Sequence, residues 1–127
     1  MRVKPMLLAA ALTLALYLAV FGFEAKAAEF KRMPQANGPD IISISGPINL
    51  GDNEKFNAIT KNLNDATIVL DSEGGVVDAA FRIGGVTYIK KYETRVNAGA
   101  ACNSACPFIW LAGAYRDLES HRTPRFP

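Results

Sequence analysis

Histidine is the scarcest chemistry-bearing residue of this 127-residue sequence: there is one, His121, and only two cysteines, Cys102 and Cys106. Two cysteines and one distant histidine do not make a structural zinc site, which takes four ligands, so no metal and no cofactor is expected. Acids run out as well, because nothing after Glu119 carries a carboxylate side chain that could orient the histidine. No cysteine follows the apolar run near the N-terminus, which removes the attachment point of a lipoprotein. Charge excess is also missing. Of 14 basic and 12 acidic side chains, the first 27 residues hold three bases and one acid, so the remainder carries no net charge. Without a basic surface, nucleic acid is not among the expected partners. There is no internal repeat or low-complexity tract, and the length leaves room for one domain at most.

What is present begins with a targeting signature. Arg2 and Lys4 precede a nearly unbroken apolar run from Met6 to Phe23, and Ala25-Lys26-Ala27 has the A-x-A form of a cleavage site. Residues 1–27 therefore read as a secretory signal peptide cut between Ala27 and Ala28, and the protein as exported, periplasmic or secreted. The alternative is an uncleaved anchor at residues 6–23, since the run approaches the roughly 20 residues of a membrane span. Glu24 and the A-x-A motif favour cleavage, so membrane contact is expected only if this segment stays in place.

The remaining chain alternates strand and helix signals. Residues 28–40 are polar, with Pro34, Gly38 and Pro39, and read as a linker. Ile41–Ser45 alternates like a short strand, and Gly46-Pro47 ends it. Phe56, Ile59 and Leu63 share one face of a helix that starts at Asp52. Ala66–Leu70 (ATIVL) is the continuous apolar run of a buried parallel strand. After Gly74-Gly75, the residues Val76, Ala79, Ala80, Ile83, Val86 and Ile89 recur at helical spacing. Gly84-Gly85 within that helix implies close packing against a neighbour, because glycine there costs about 1 kcal/mol against alanine. Lys90-Lys91 suits its end. Thr94–Asn97 is a brief strand, and the apolar Pro107–Ala112 forms a last helix. Residues 117–127 carry no strand pattern and read as an irregular tail. The order βαβαβα predicts an α/β fold with a parallel sheet, whose ligands sit beyond the carboxyl ends of the strands.

Two turns fall on that edge: Asp71-Ser72-Glu73-Gly74-Gly75 and Ala98–Ser104. In the second, small residues lead to Ser104, set between Cys102 and Cys106 and just before Pro107, a residue suited to the first turn of a helix. Free N–H groups and the helix dipole there favour negative charge, which a serine nucleophile needs because its attack creates an oxyanion. A serine in this place is otherwise a helix cap.

The combination of IVLDSEGG (Ile68–Gly75), AAFRIGGVTYIKK (Ala79–Lys91) and CNSACPFIWLAG (Cys102–Gly113) resembles the Clp-peptidase/crotonase superfamily. It is most similar to secreted Clp-like proteins with a C-x-S-A-C nucleophile region. The likeness spans residues 41–116. It implies a crotonase/Clp-like fold built of βα units, with Ser104 as nucleophile. The oxyanion hole would come from backbone N–H groups around Gly74, Gly75 and Ala105, and the substrate would be a peptide or protein. Glu73 stands where the family usually has proline and puts a negative charge near the anion site. The acid–base machinery departs further. The family's histidine follows a further strand and its aspartate comes later still, whereas His121 lies 17 residues after Ser104 in the polar tail. His121 is thus a candidate base against the reading of a solvated tail histidine. Lys90 and Lys91 suggest a Ser-Lys dyad only until their place at a helix end is considered.

The family-like domain, residues 41–116, accordingly reads as incomplete at its C-terminus, with apolar surface left open to association with other copies. In an exported chain Cys102 and Cys106 are expected to form a disulfide, the other reading being two buried thiols. Three functions compete: a serine peptidase or hydrolase that needs a base from elsewhere, a non-catalytic binding module or remnant, and a membrane-anchored interaction protein. An acyl-CoA enzyme is disfavoured, since an exported protein would not meet that cofactor.

Overall fold

Main-chain pairing extends the sheet at both ends beyond what hydropathy suggests. The computed structural model describes residues 5–20 and 26–119. After helix α1 (Pro5–Val20) come β1 (Glu29–Met33), β2 (Asp40–Ser45), α2 (Asp52–Thr60), β3 (Ala66–Asp71), α3 (Val77–Ile89), β4 (Glu93–Val96), α4 (Cys106–Leu111) and β5 (Arg116–Leu118). The five strands form one sheet in the order β1-β2-β3-β4-β5, in which β1 is antiparallel and the others are parallel. The protein is thus α/β with a mostly parallel sheet.

Both end strands correct the sequence reading. The polar segment taken as a linker contains β1, which pairs Phe30 with Ile44 and Arg32 with Ile42. Its sequence EFKRM hides its nature because only Phe30 packs against the core, while the charged side chains guard an exposed edge. Arg32 also holds Asp40 at 2.7 Å, and this hydrogen bond, with the Gln35 N–H, keeps the carboxyl below its ordinary value. The tail taken as irregular contributes Asp117 and Leu118 to β5. That three-residue strand is templated by β4: Thr94 N–H donates to Tyr115 O and Glu119 N–H to Val96 O. Arg95 pairs with Asp117 across it. A strand this short carries no readable period of its own.

Three parallel crossovers in succession put α2, α3 and α4 side by side in one layer, α3 packing against both neighbours. Ile42, Ile44, Ile68 and Leu70 from the sheet meet Phe56, Ala79, Ile83 and Ile109 from the helices, all buried. Within α3 the buried set is Ala79, Ala80, Ile83, Gly84 and Thr87. Ile89, expected on that face, is 77% exposed because the buried stripe passes through Thr87 instead. Gly84 explains half of the glycine pair: a Cβ there would stand 3.1 Å from Phe108 O, so α3 and α4 touch at their backbones. Gly85 has open space around it.

Lys90, placed by the sequence at a helix end, donates to Thr60 O and Leu63 O at 2.6 and 3.1 Å, tying the end of α3 to the end of α2. The buried Tyr92 hydroxyl donates to the same Leu63 O at 2.6 Å, and burial raises its pKa. The apolar helix α1 spans 16 residues, and its Leu7, Leu8, Leu12, Leu14 and Leu16 are exposed. Among the described residues no helix is long and apolar enough to cross a membrane.

Candidate functional site

The carboxyl ends of β3 and β4 run into the two turns singled out by the sequence, and hydrogen bonds sew those turns together. Ser72 N–H donates to Ala101 O at 2.7 Å, and Asn103 N–H donates back to Ser72 O at 3.0 Å, making a parallel bridge between Ser72 and Cys102. Ala101 N–H donates to Asp71 Oδ1 at 2.9 Å. The other flank of the first turn is equally fixed. Ile48 N–H donates to Gly74 O and Val76 N–H to Ile48 O, both at 2.8 Å. Ser72 is buried at the centre, where its hydroxyl donates to Gly46 O at 2.7 Å and accepts the Gly74 N–H at 3.0 Å.

This sewing brings Gly74 hard against the Ser104 turn. A Cβ on Gly74 would lie 2.6 Å from Ser104 Cβ and 2.8 Å from Ala105 N. Gly74 and Gly75 have φ of 97° and 142°, a region that only glycine enters freely. Ser104 itself has φ of 52° and is exposed. A left-handed serine is uncommon, and such strain gathers where structure serves function. Ser104 is not in the helix: α4 begins at Cys106, with Ala105 at the cap position and Pro107 in the first turn. Cys102 and Cys106 form a disulfide with Cα atoms 5.1 Å apart, so the covalent loop closes directly around Ser104.

The donors divide unequally. The Gly74 N–H is taken by Ser72 Oγ, so it is not free to receive an anion. Among the described residues the Gly75 and Ala105 N–H groups donate to no acceptor. Gly75 follows the glycine that packs on Ser104 and Ala105 follows Ser104 itself, so the two free donors belong to the two turns that meet there, and donors aimed at one point can hold a developing oxyanion. Ser104 Oγ has no hydrogen-bond partner among the described residues, and a serine without a base is a weak nucleophile. His121, the candidate base, lies outside the described residues. Lys90 is committed to the two carbonyls at the far end of α3, which rules out a dyad with Ser104.

The structure therefore gathers Ser104, Gly74, Gly75, Ala105, Cys102 and Cys106 in one place. Sequence reasoning missed Ser72 and Asp71, the two side chains that fix the turns to each other. The sequence shows them only as polar residues between an apolar strand and Gly-Gly, because their partners, Gly46 O and the Ala101 N–H, lie 26 and 30 residues away. A cleft of about 420 Å³ opens beside them, lined by Ser43, Ser45, Val69, Leu70, Asp71 and Asn97–Ala100. Among the described residues no group of three or more histidine, cysteine or acidic side chains could hold a metal ion. Comparisons with protein-family models, with curated proteins and with solved structures each found no match.

Proposed function

We propose that this chain is an exported, Clp-like serine hydrolase module of the crotonase type whose general base is not among the described residues. Ser104 is its nucleophile, the Gly75 and Ala105 N–H groups are its oxyanion donors, and a peptide or protein carbonyl is its target. One observation carries the reading: a left-handed, exposed Ser104, closed in by a disulfide, lies against Gly74 where two turns meet, and the Gly75 and Ala105 N–H groups of those turns are free. A disulfide is compatible with export, and the exposed apolar α1 suits a signal segment.

In the reaction, Ser104 Oγ bonds to the carbonyl carbon as the C=O π pair moves onto oxygen, where the two N–H groups receive the charge. The serine proton must pass to a base, and collapse of the intermediate expels the amine with a proton. With no base at Ser104 Oγ among the described residues, the proton step is the weak one. The binding-module alternative draws on that same feature, because free N–H donors bind a carbonyl or carboxylate oxygen without any proton transfer.

Labelling with a fluorophosphonate tests the proposal, since it forms an Oγ–P bond, expels fluoride and releases the serine proton. Slow labelling is expected, abolished in Ser104→Ala and unchanged in His121→Ala. Fast labelling lost in both variants would show a complete site with His121 as base. Absence of any labelling would leave the chain as a non-catalytic binding module.

A further inference from the structure

The outer face of the helix layer is apolar where solvent would ordinarily demand charge. On α3 the exposed stripe is Val77/Asp78, Phe81/Arg82, Gly85 and Tyr88/Ile89, one step every three or four residues. Phe81 is 55%, Tyr88 73% and Ile89 77% exposed. Phe81 stacks on Phe108 of α4 with ring centroids 4.4 Å apart, which extends the face across both helices with Leu111. Grooves of about 380 and 460 Å³ run between the helices, and Gly84 and Gly85 help to line the first. A continuous exposed apolar patch of this kind marks an interaction surface.

We infer that this face binds a second copy of the chain, with the two α3 helices antiparallel about a two-fold axis at Gly85. The surface is complementary to itself. Gly85, with nothing within 4 Å of a would-be Cβ, lets two helix backbones approach, while Phe81 and Ile89 stand one turn to either side. Antiparallel crossing at Gly85 puts Phe81 of one copy opposite Ile89 of the other, and the Arg82 that Asp78 holds on its own helix opposite Tyr88. The helix ends agree with this direction. The first turn of α3, where Asp78 holds Arg82 of its own chain at 2.7 Å, meets the end of the other α3, where Lys91 is exposed, and the helix dipoles oppose. A parallel arrangement would set Asp78 against Asp78 and Lys91 against Lys91. An isologous patch must match itself in this way.

The test uses the full chain. Sedimentation velocity over a concentration series should show a reversible monomer–dimer equilibrium. Phe81→Glu and, separately, Tyr88→Glu should each raise the dissociation constant by about tenfold or more, with circular dichroism unchanged. In Gly85→Cys, the introduced thiol should link two chains on mild oxidation, whereas one introduced by Lys61→Cys at the end of α2 should not. Association through α1 would survive Phe81→Glu and give no link at position 85, and that result overturns the inference. A monomer at about 100 µM also overturns it, being far above the concentrations at which specific dimers form. So does a monomer that sediments with phosphatidylglycerol vesicles and loses this in Phe81→Glu, which would assign the face to a lipid surface.

Discussion

Two glycine pairs lie ten residues apart in this chain, and they do opposite things. Gly74-Gly75 sits at positive φ with neighbours on both sides, so that a Cβ on Gly75 would collide with Ile48 O and one on Gly74 with Asn103 O. Gly84-Gly85 lies in ordinary helix, where Gly84 meets α4 and Gly85 meets open space. The first pair is required by geometry. The second is required only by what approaches it. A glycine pair therefore carries meaning through its surroundings, and the comparison can be broken one side at a time.

The largest effect is expected at the first pair. Gly75→Ala, and Gly74→Ala to a similar degree, should cost about 3 kcal/mol or more in urea unfolding, because both an unfavourable φ and a backbone collision must be relieved. Recovery of wild-type stability in either variant would mean the turn can move away from Ile48 or Ser104. The disulfide comes next. Cys102→Ser with Cys106→Ser should lose about 2 kcal/mol, the magnitude for closing so short a loop. The wild-type protein, denatured without reductant, should show no free thiol on titration. The smallest effect has the opposite sign. Gly85→Ala, measured where the chain is monomeric, should stabilise α3 by about 0.5–1 kcal/mol, since helix propensity improves and nothing is displaced.

Much of the candidate site was legible because its signals are local. The residue types of Asp71–Gly75 and Cys102–Pro107, and their place after strands, identified the two turns, the serine and the cysteine pair. Which N–H groups stay free was not legible. The Gly74 N–H is consumed by Ser72 Oγ, a bond set by how Ser72 is buried beneath Gly46 rather than by any spacing. The edge strands were hidden for a related reason. EFKRM and RDL acquire strand geometry from the neighbour they pair with, and neither bears a hydrophobic alternation of its own. Ile89 was assigned to the core by a spacing that α3 resolves in favour of Thr87, whose hydroxyl bonds Ile83 O inside the helix.

By itself the sequence determined the alternation of strands and helices, the parallel crossovers and the sharp turns, because apolar periodicity, glycine and proline act within a few residues. Tertiary structure decided three things: how far the sheet extends, which donors of the two joined turns remain free, and which apolar face of α3 stays uncovered. Each depends on pairing and burial between separate segments, from β1 with β2 to Ser72 with Ala101 and β4 with β5. No local pattern encodes a partner in another segment.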